Sequence, residues 1–402
     1  MIRERCLTMG KRFFYLGLLL IVFITTGFAR QGMAAETSQV RGNTVFALDL
    51  YKKLALSEKN IFFSPYSISV CLAMTSAGAR GKTLGEMEEV LHLCKNPGKG
   101  FKDINHCLDA CKCEMINANA IWAEKNHQLL DSFVRIVKED YLSEVHRVNF
   151  KKDPEGQRTK INTWVEDRTH GHIKGLIPGG VIDTFTRMVL VNAIYFKGLW
   201  AHGFDPDQTS TLPFYPKPGE EISTEMMTIT ESFNYREDKE LKVIELPYKR
   251  NNISMFILLP QKRHSIRDIE AKLNADTLEG LTHGLKKTRV CVCIPKFRSK
   301  NTFRLDKTLE SLGMRIPFST GADFSGMDGS RDLMISALLH QAFVEVNEEG
   351  TEAAAATAVI MTLTSMPDPP TTLCADHPFL FIIRHNPSKS ILFMGRLQNP
   401  QG

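Results

Sequence analysis

The stretch EEGTEAAAATAVIMTLTSMPDPP, residues 348–370, combines three local preferences that do not fit one regular element. Its alanine run favours a helix, the β-branched residues that follow favour a strand, and its proline cluster suits neither. At period two from Thr351, one face has no charge, and the other is mostly small with one charge at Glu352. The stretch could therefore be buried as a strand, and a short surface helix capped by Thr351 is the alternative.

The rest of the chain has the composition of a large globular protein. It has 402 residues, of which 43% are hydrophobic and 24% charged, and this length allows a large core. No repeat, low-complexity linker or shift in composition marks a boundary, so residues 36–402 are predicted to form one domain. Helical spacing dominates early, as in NTVFALDLYKKLAL (43–56), and short β-branched runs such as ISMFILLP (253–260) dominate late. This order favours the α+β class.

The first 35 residues have the layout of a secretory signal peptide. Lys11 and Arg12 precede the apolar run FFYLGLLLIVFITTGF (13–28), and small residues follow, with cleavage predicted at or near Ala34. The apolar run is shorter than the roughly 20 residues that span a bilayer, which disfavours the alternative of an uncleaved anchor. We therefore expect export, to the extracellular space or to a bacterial periplasm. Met9 is an alternative start.

The charge of the chain indicates no nucleic-acid partner and no membrane partner beyond the export signal. Removing residues 1–35 takes away five basic residues and one acidic residue, so the net charge falls from +5 to about +1. The basic excess therefore belongs mostly to the signal, and no dense basic helix indicates a polyanion site.

The cysteines allow disulfides without requiring them. Nine are present, and Cys6 belongs to the signal, which leaves an even number in the exported chain. In HCLDACKC (106–113) the spacings of four and two differ from the Cys-x-x-Cys pairs of structural zinc sites, so no metal is predicted. The motif CVC (291–293) is typical of two residues on one face of a strand. A chain of this length needs none of these thiols to hold a core.

Motifs of catalysis and cofactor binding are missing. SAGARGKT (76–83) nearly matches a phosphate loop, but Ser76 stands in place of the first glycine and the segment is predicted to lie inside a helix. There is no G-x-S-x-G elbow and no H-E-x-x-H zinc helix, and the twelve histidines are scattered. The sequence therefore predicts no enzyme and no cofactor.

Five blocks resemble signature segments of the serpins, the serine protease inhibitor superfamily, and they follow one another in the family's order. They are NIFFSPYSISVCLAMTSAGARGKTLGEMEEVL (60–91), INTWVEDRTHGHIKGLI (161–177), MVLVNAIYFKGLW (188–200), AFVEVNEEGTEAAAAT (342–357) and ADHPFLFIIRHNPSKSILFMGRLQNP (375–400). The resemblance implies three β-sheets, eight or nine helices, and an exposed reactive-centre loop at about 348–374. It also implies a monomer whose partner is a target serine protease.

Inhibition in such a family is mechanical and single-use. The protease cleaves the loop and forms the acyl-enzyme, and the freed loop end then inserts as a central strand of the largest sheet, giving a covalent 1:1 complex. The resemblance places the hinge of this movement at Glu348, Gly350, Thr351, Glu352, Ala353, Ala354, Ala355, Ala356 and Thr357. A non-inhibitory serpin that acts as a carrier or chaperone is the alternative function.

The position of the reactive bond follows from counting along the resemblance. Glu348 matches the family's reference position, which places the bond between Thr364 and Ser365. The segment that follows is slightly longer than in close family members, so Leu363 and Met366 are alternative specificity residues. Thr364 indicates an elastase-like target, and Leu363 or Met366 a chymotrypsin- or elastase-like one. None of them is basic, which disfavours a trypsin-like target.

Two further groups of residues match family positions that control the opening of the sheet. A "shutter" beneath the strands that must part would comprise Ser64, Ser67, Asn192 and His340. A "breach", where insertion starts, would comprise Trp200 and Lys296, with Lys296 paired to Glu348. Ordinary core packing is the alternative for each of these side chains.

Overall fold

In the part of the chain that the structure describes, two hydrogen-bonded sheets with helices packed against them form the fold. The computed structural model describes residues 38–110, 114–351 and 369–402. The predicted signal peptide lies outside the described residues. Within them no helix is both long enough and apolar enough to cross a bilayer.

Helices are concentrated in the first half of the chain, as its apolar spacing predicts. In chain order they are α1 (38–54), α2 (Pro65–Ser76), α3 (Gly81–Leu91), α4 (Pro97–Ala110), α5 (Asp131–Asp140), α6 (Pro154–Arg168), α7 (Ile266–Lys272), α8 (Ala275–Thr282), α9 (Asp306–Leu312) and α10 (Ser325–Asp328). These described helices number ten, one more than the upper count that the resemblance implies, because the single turn α10 is included.

Strands occupy most of the second half. They are β1 (Ile61–Phe63), β2 (Glu114–Glu124), β3 (Glu144–Val148), β4 (Met188–Leu199), β5 (Ser210–Lys217), β6 (Glu220–Glu237), β7 (Leu241–Pro247), β8 (Ile253–Pro260), β9 (Lys286–Pro295), β10 (Phe297–Arg304), β11 (Ile335–Val346), β12 (Gly350–Thr351), β13 (Thr371–Cys374), β14 (Phe379–His385) and β15 (Ile391–Leu397). Helices early and strands late confirm the α+β class.

The smaller sheet has the strand order β10-β11-β4-β2-β3, with β12 paired to the end of β4. Its central strands are buried on both faces. In β4, Val189 and Val191 pack toward α6 and the core on that side, whereas Met188 and Leu190 face the main core. This two-sided burial explains why the β4 sequence is a nearly continuous apolar run.

The larger sheet has nine strands in the order β1-β15-β14-β8-β7-β6-β9-β13, with β5 paired to β6. The resemblance implies three sheets, but hydrogen bonding joins the described strands into two networks. The cause is the 18-residue strand β6. It pairs with β5 over its amino-terminal residues 220–226, with β9 over residues 226–235 and with β7 over residues 234–237.

The helix α2 lies between the two sheets and has no exposed face. All twelve of its residues are buried, as expected of a helix that is apolar or small all round. Ser64 is its N-cap, since the Ser64 hydroxyl accepts a hydrogen bond from the N–H of Ser67, and Pro65 occupies the first helical position. These features fix the amino terminus of α2 beneath the smaller sheet.

One local prediction is wrong. The segment SAGARGKT was predicted to lie within a helix, but α2 ends at Ser76 and α3 begins at Gly81. A short turn between two helices separates them, so this segment still lacks the strand-to-helix context of a phosphate loop.

Candidate functional site

The centre of the smaller sheet is a parallel seam between β4 and β11. The term seam is used below for the pairing of residues 188–195 with residues 335–343, in which Asn192 and His340 are directly opposite each other. The outer neighbours of these two strands are antiparallel to them, β10 to β11 and β2 to β4, whereas β3 at the far edge is parallel to β2. Parallel pairing is slightly less stable per residue than antiparallel pairing, so the seam is a weak ladder in the middle of the sheet.

A cluster of hydrogen-bonded polar side chains lies on the seam, beneath which α2 begins. The imidazole Nδ1 of His340 is hydrogen-bonded to the side-chain oxygen of Asn192. The Asn192 amide donates to the Ser67 hydroxyl at 2.5 Å, and the backbone N–H of Ser64 donates to His340 Nε2 at 3.1 Å. The structure thus brings Ser64, Ser67, Asn192 and His340 together, and their role as a shutter stays a prediction.

The hydrogen bonds define the protonation state of His340. Its Nε2 accepts from a backbone N–H, so Nδ1 carries the proton and donates it to Asn192. His340 is fully buried, and this burial lowers its pKa to about 3, although the hydrogen bond to Asn192 opposes the shift. The imidazole is therefore neutral at neutral pH.

Two asparagines of β2 extend the cluster, and the sequence reasoning missed both. The amide of Asn192 also donates to Asn119, which is its partner residue across the β2–β4 pairing. The Ser67 hydroxyl lies 2.9 Å from the side-chain oxygen of Asn117 and 3.2 Å from that of Asn119. The sequence signal was NANA (117–120). In a strand this alternation puts the two asparagines on one face and the two alanines on the other.

The hinge begins with a tight turn at the end of β11. The side-chain oxygen of Asn347 accepts from the N–H groups of Glu349 and Gly350, at 3.2 and 3.3 Å. The backbone N–H of Asn347 donates to the carbonyl of Gly350 at 2.9 Å. This turn reverses the chain, and β12 then pairs antiparallel with β4, with Gly350 opposite Leu199. The chain that leaves β11 therefore returns directly above the seam.

Gly350 is required at this position for two reasons. Its φ of +145° is a backbone conformation that side-chain-bearing residues rarely adopt. A Cβ atom on Gly350 would also lie 2.1 Å from the carbonyl oxygen of Gly198. The returning chain and β4 therefore touch backbone to backbone at this point.

Trp200 closes the turn from the side of β4. Its indole N–H donates to the backbone carbonyl of Asn347 at 3.0 Å, and its ring stacks on Tyr248 with 4.6 Å between centroids. Its own backbone N–H donates to the carbonyl of Glu349 at 2.9 Å. The side chain and the backbone of Trp200 together therefore link the end of β4 to both sides of the turn.

The predicted pairing of Lys296 with Glu348 is present in the structure. Lys296 Nζ lies 3.2 Å from a carboxylate oxygen of Glu348 and 3.5 Å from one of Glu225. The hydroxyl of Thr209 donates to the same Glu348 oxygen at 2.9 Å. Partial burial opposes ionisation of Glu348, but its own backbone N–H, the Thr209 hydroxyl and Lys296 outweigh it and lower the pKa of Glu348. Lys296 and Trp200 thus both contact the residues where the hinge starts.

The remaining loop predictions fall on residues 352–368, which lie outside the described residues. They are the hinge residues Glu352, Ala353, Ala354, Ala355, Ala356 and Thr357, the bond between Thr364 and Ser365, and the alternatives Leu363 and Met366. After this segment the chain enters β13, which pairs parallel with β9. The loop is therefore anchored in the smaller sheet at one end and in the larger sheet at the other.

A separate cavity of about 500 Å³ lies between α1, α8 and the strands β8 and β14. Its lining is mainly apolar and includes Phe256, Leu278 and Ile382. Arg384 also lines it, with its guanidinium over the Phe256 ring at 4.2 Å and one terminal nitrogen donating to Thr282. Within the described residues, the buried Nε of Arg384 has no hydrogen-bond partner, and burial lowers the pKa of this guanidinium.

No candidate metal site is present among the described residues. Cys107 lies on α4, whereas Cys111 and Cys113 fall outside the described residues. The metal interpretation of HCLDACKC therefore stays untested, and the spacing argument against it is unchanged.

Comparison with known proteins identifies the family. The family model described as serpin, serine protease inhibitor, matches residues 41–400. The leukocyte elastase inhibitor of Sus scrofa is 42% identical over 372 residues, which cover 89% of this chain and 98% of that protein. Uncleaved ovalbumin has a TM-score of 0.82 at 29% identity and covers 90% of this chain and 100% of its own. Human thyroxine-binding globulin complexed with thyroxine has a TM-score of 0.82 at 31% identity, covering 92% and 99%.

These matches confirm the serpin fold over nearly all of the described residues. The family is one of protease inhibitors and not of enzymes, in agreement with the missing catalytic motifs. From residue 41 to residue 400, the chain therefore belongs to the serpin family.

Proposed function

We propose that this protein is a secreted, single-use inhibitor of serine proteases with elastase-like or chymotrypsin-like specificity. In this mechanism the protease cleaves the loop near Thr364 and becomes covalently attached to it. The amino-side part of the loop then inserts between β4 and β11, and the protease is carried along as an inactive acyl-enzyme.

The observation that carries the proposal is the position of β12. This two-residue strand already runs antiparallel to β4 at the upper end of the seam, and β4 and β11 are parallel neighbours below it. A chain that continued in the direction of β12 would enter the seam antiparallel to both strands. Insertion would thus replace one parallel ladder by two antiparallel ladders, which are the more stable kind.

The dimensions of the seam suit a loop of this length. Both β4 and β11 have 12 residues, and at about 3.3 Å per residue they extend for roughly 40 Å. About twelve residues from Gly350 onward would fill this length, which ends shortly before the proposed reactive bond. The uncharged face predicted for the loop could be buried there, since the seam contacts the apolar core on both sides.

The polar cluster under the seam supports an opening of the sheet. Separating β4 from β11 would break the contact between Asn192 and His340, but Ser67, Asn117 and Asn119 offer alternative partners within the cluster. A network that exchanges partners exposes fewer unsatisfied groups than one that is simply broken. The charged pair of Lys296 and Glu348 lies at the edge, where the first residues would enter.

The target class rests on the loop residues and on the relative. Thr364, Leu363 and Met366 fit small or apolar specificity pockets, and the leukocyte elastase inhibitor named above is 42% identical to this chain. Mixing the purified protein with an elastase, a chymotrypsin-like protease and trypsin tests the proposal. We expect a complex with one of the first two that survives SDS, and no such complex with trypsin. Simple cleavage of the loop by every protease would refute the inhibitory function.

Export belongs to the same proposal. It is supported by the basic, apolar and small-residue order of residues 1–35 and by a family match that begins only at residue 41. Expression of the full chain in cells with a secretory pathway should give a protein in the medium whose amino terminus lies at or near Ala35. Full-length protein retained in the cells would contradict export.

The cavity beside α8 favours a second candidate function, that of a carrier for an apolar anion. Its apolar lining and the unpartnered Nε of Arg384 would suit such a ligand, and one structural relative is named for binding thyroxine. Titration with 8-anilino-1-naphthalenesulfonate, an apolar anionic probe, tests this function. Saturable binding that Arg384→Met weakens and that loop cleavage alters would support it. Binding equal in wild type and variant would exclude this cavity.

A further inference from the structure

The carboxyl-side anchor of the loop contains a pair of cysteines that directly face each other. Cys374 is the last residue of β13, and its partner in the parallel register is Cys293 of β9. Both are free thiols, and the side chains of this pair lie on the same face because they are in register. Neighbouring strands are about 4.8 Å apart, inside the Cα separation of roughly 4.4–6.8 Å that disulfides adopt.

The two sulfurs interact in the structure. A hydrogen bond between the thiols lowers the pKa of Cys293, with a second contribution from the hydroxyl of Thr228. The same hydrogen bond raises the pKa of Cys374, which acts as the donor. Thiolate is the nucleophilic form of cysteine, and in this pair the first thiolate forms on Cys293.

The strand that carries Cys374 is held by few other contacts. β13 has four residues, and within the described residues its one strand neighbour is β9. Leu373 is buried, and Lys242 donates a hydrogen bond to the carbonyl of Thr372 at 3.0 Å. The strand lies at the edge of the nine-stranded sheet directly after the loop, so its attachment decides whether that end of the loop is fixed.

From this geometry we propose that Cys293 and Cys374 form a reversible disulfide that clamps β13 to β9. The oxidant would be a low-molecular-weight disulfide such as oxidised glutathione. Cys374 is the more exposed of the two, so it first passes its proton along the hydrogen bond to the Cys293 thiolate and then attacks the external disulfide as a thiolate. The departing glutathione thiolate takes this proton from Cys293, which leaves a mixed disulfide on Cys374 and a thiolate on Cys293.

The Cys293 thiolate completes the reaction. It attacks the Cys374 sulfur of the mixed disulfide and displaces the second glutathione thiolate, which takes a proton from water. Two cysteine thiols are thereby oxidised to one disulfide, and one oxidised glutathione is reduced to two thiols. This clamp is independent of whether the protein inhibits proteases, and the compartment in which the protein resides would set the bonded fraction.

Peptide mapping of the full-length protein tests the bond. After equilibration with glutathione buffers of rising oxidised fraction, free thiols are blocked and the protein is digested with trypsin. We expect fragment 290–296 to be linked to fragment 332–384, because each contains one member of the pair. The link should persist in Cys291→Ser, which removes the other cysteine of the first fragment, and should be lost in Cys293→Ser.

Hydrogen exchange tests the clamp itself. Amides of residues 371–374 should exchange about tenfold more slowly in the oxidised than in the reduced protein, since opening of a crosslinked edge strand is restricted. Cys374→Ser should abolish this difference, and the remote Cys94→Ser should retain it. Absence of the linked fragments at every buffer ratio, or a link that survives in Cys293→Ser, would overturn the proposed pair. A bond that leaves exchange in β13 unchanged would overturn the clamp.

Discussion

Mild acid should lower the free energy of unfolding of this protein through one side chain of the smaller sheet, His340. Its Nε2 accepts a hydrogen bond from the backbone N–H of Ser64. Protonation would place a second donor against that N–H in a site without solvent, and neither donor would have an acceptor. Burial accordingly lowers the pKa of His340 to about 3.

The sign and size of the effect follow from this pKa. The unfolded chain has a histidine pKa of about 6.5, so between about pH 6.5 and pH 3 the unfolded state binds more protons than the folded state. The stability associated with neutral His340 is therefore fully present above pH 6.5 and is lost as the pH falls toward 3. The loss is about 2 kcal/mol at pH 5 and approaches about 5 kcal/mol in the acid limit.

Urea denaturation of the wild type and of His340→Gln, at pH 7, 6 and 5, measures this effect. Glutamine does not titrate, so the variant should be less stable at pH 7 but should lose about 2 kcal/mol less than the wild type on going to pH 5. His264 is exposed, and His264→Gln should keep the wild-type pH dependence. If His340→Gln also keeps the full wild-type dependence, the argument from a buried neutral imidazole is wrong.

Cleavage between Thr357 and Ser365 should raise the thermal midpoint of unfolding, because the freed segment can enter the seam. Calorimetry of intact and cleaved protein checks this, and an unchanged midpoint would contradict insertion. Thr351→Arg should turn the inhibitor into a substrate, since burying an unpaired cation costs several kcal/mol; titration against elastase should lose its one-to-one stoichiometry, which the control Thr351→Ser should keep. Gly350→Ala should weaken the hinge pairing by about 1–3 kcal/mol, seen as faster hydrogen exchange at the Trp200 amide. Gly329→Ala is the matched control, because φ is also positive there but its Cβ meets nothing within 4 Å; equal effects of both variants on the Trp200 amide would refute the clash.

Short-range patterns were sufficient to predict much of the fold. The apolar run at 253–260 coincides with β8, because this strand is bounded by turn residues and buried over its whole length. The strands β2 and β6 were not predicted from their own sequences. β6 alternates buried and exposed residues while it changes partners, and such a strand is defined by its neighbours and not by its local composition.

The candidate site likewise contains residues that the sequence predicted and residues that it did not. The resemblance named Ser64, Ser67, Asn192 and His340, and all four meet in one hydrogen-bonded cluster. Asn119 was missed because the NANA pattern indicates only that two asparagines share one face of a strand, whereas the pairing of Asn119 with Asn192 depends on a distant segment. The sequence also did not predict that β6 joins strands into one larger sheet, since the pairing of a long strand depends on contacts between distant segments.

The pairing of Gly350 with Leu199 sets the register in which the following loop residues would enter the sheet. Successive residues of a strand point to opposite faces, so a shift of one residue exchanges the faces completely. An insertion or deletion between Gly350 and the cleavage point would therefore turn the outward residues of the loop toward the core. The same change after the cleavage point would alter only the length of the connection to β13. The loop can therefore vary in length on the carboxyl side of the cut and still enter the sheet with the same face buried. On the amino side of the cut, its length can change only in steps of two residues.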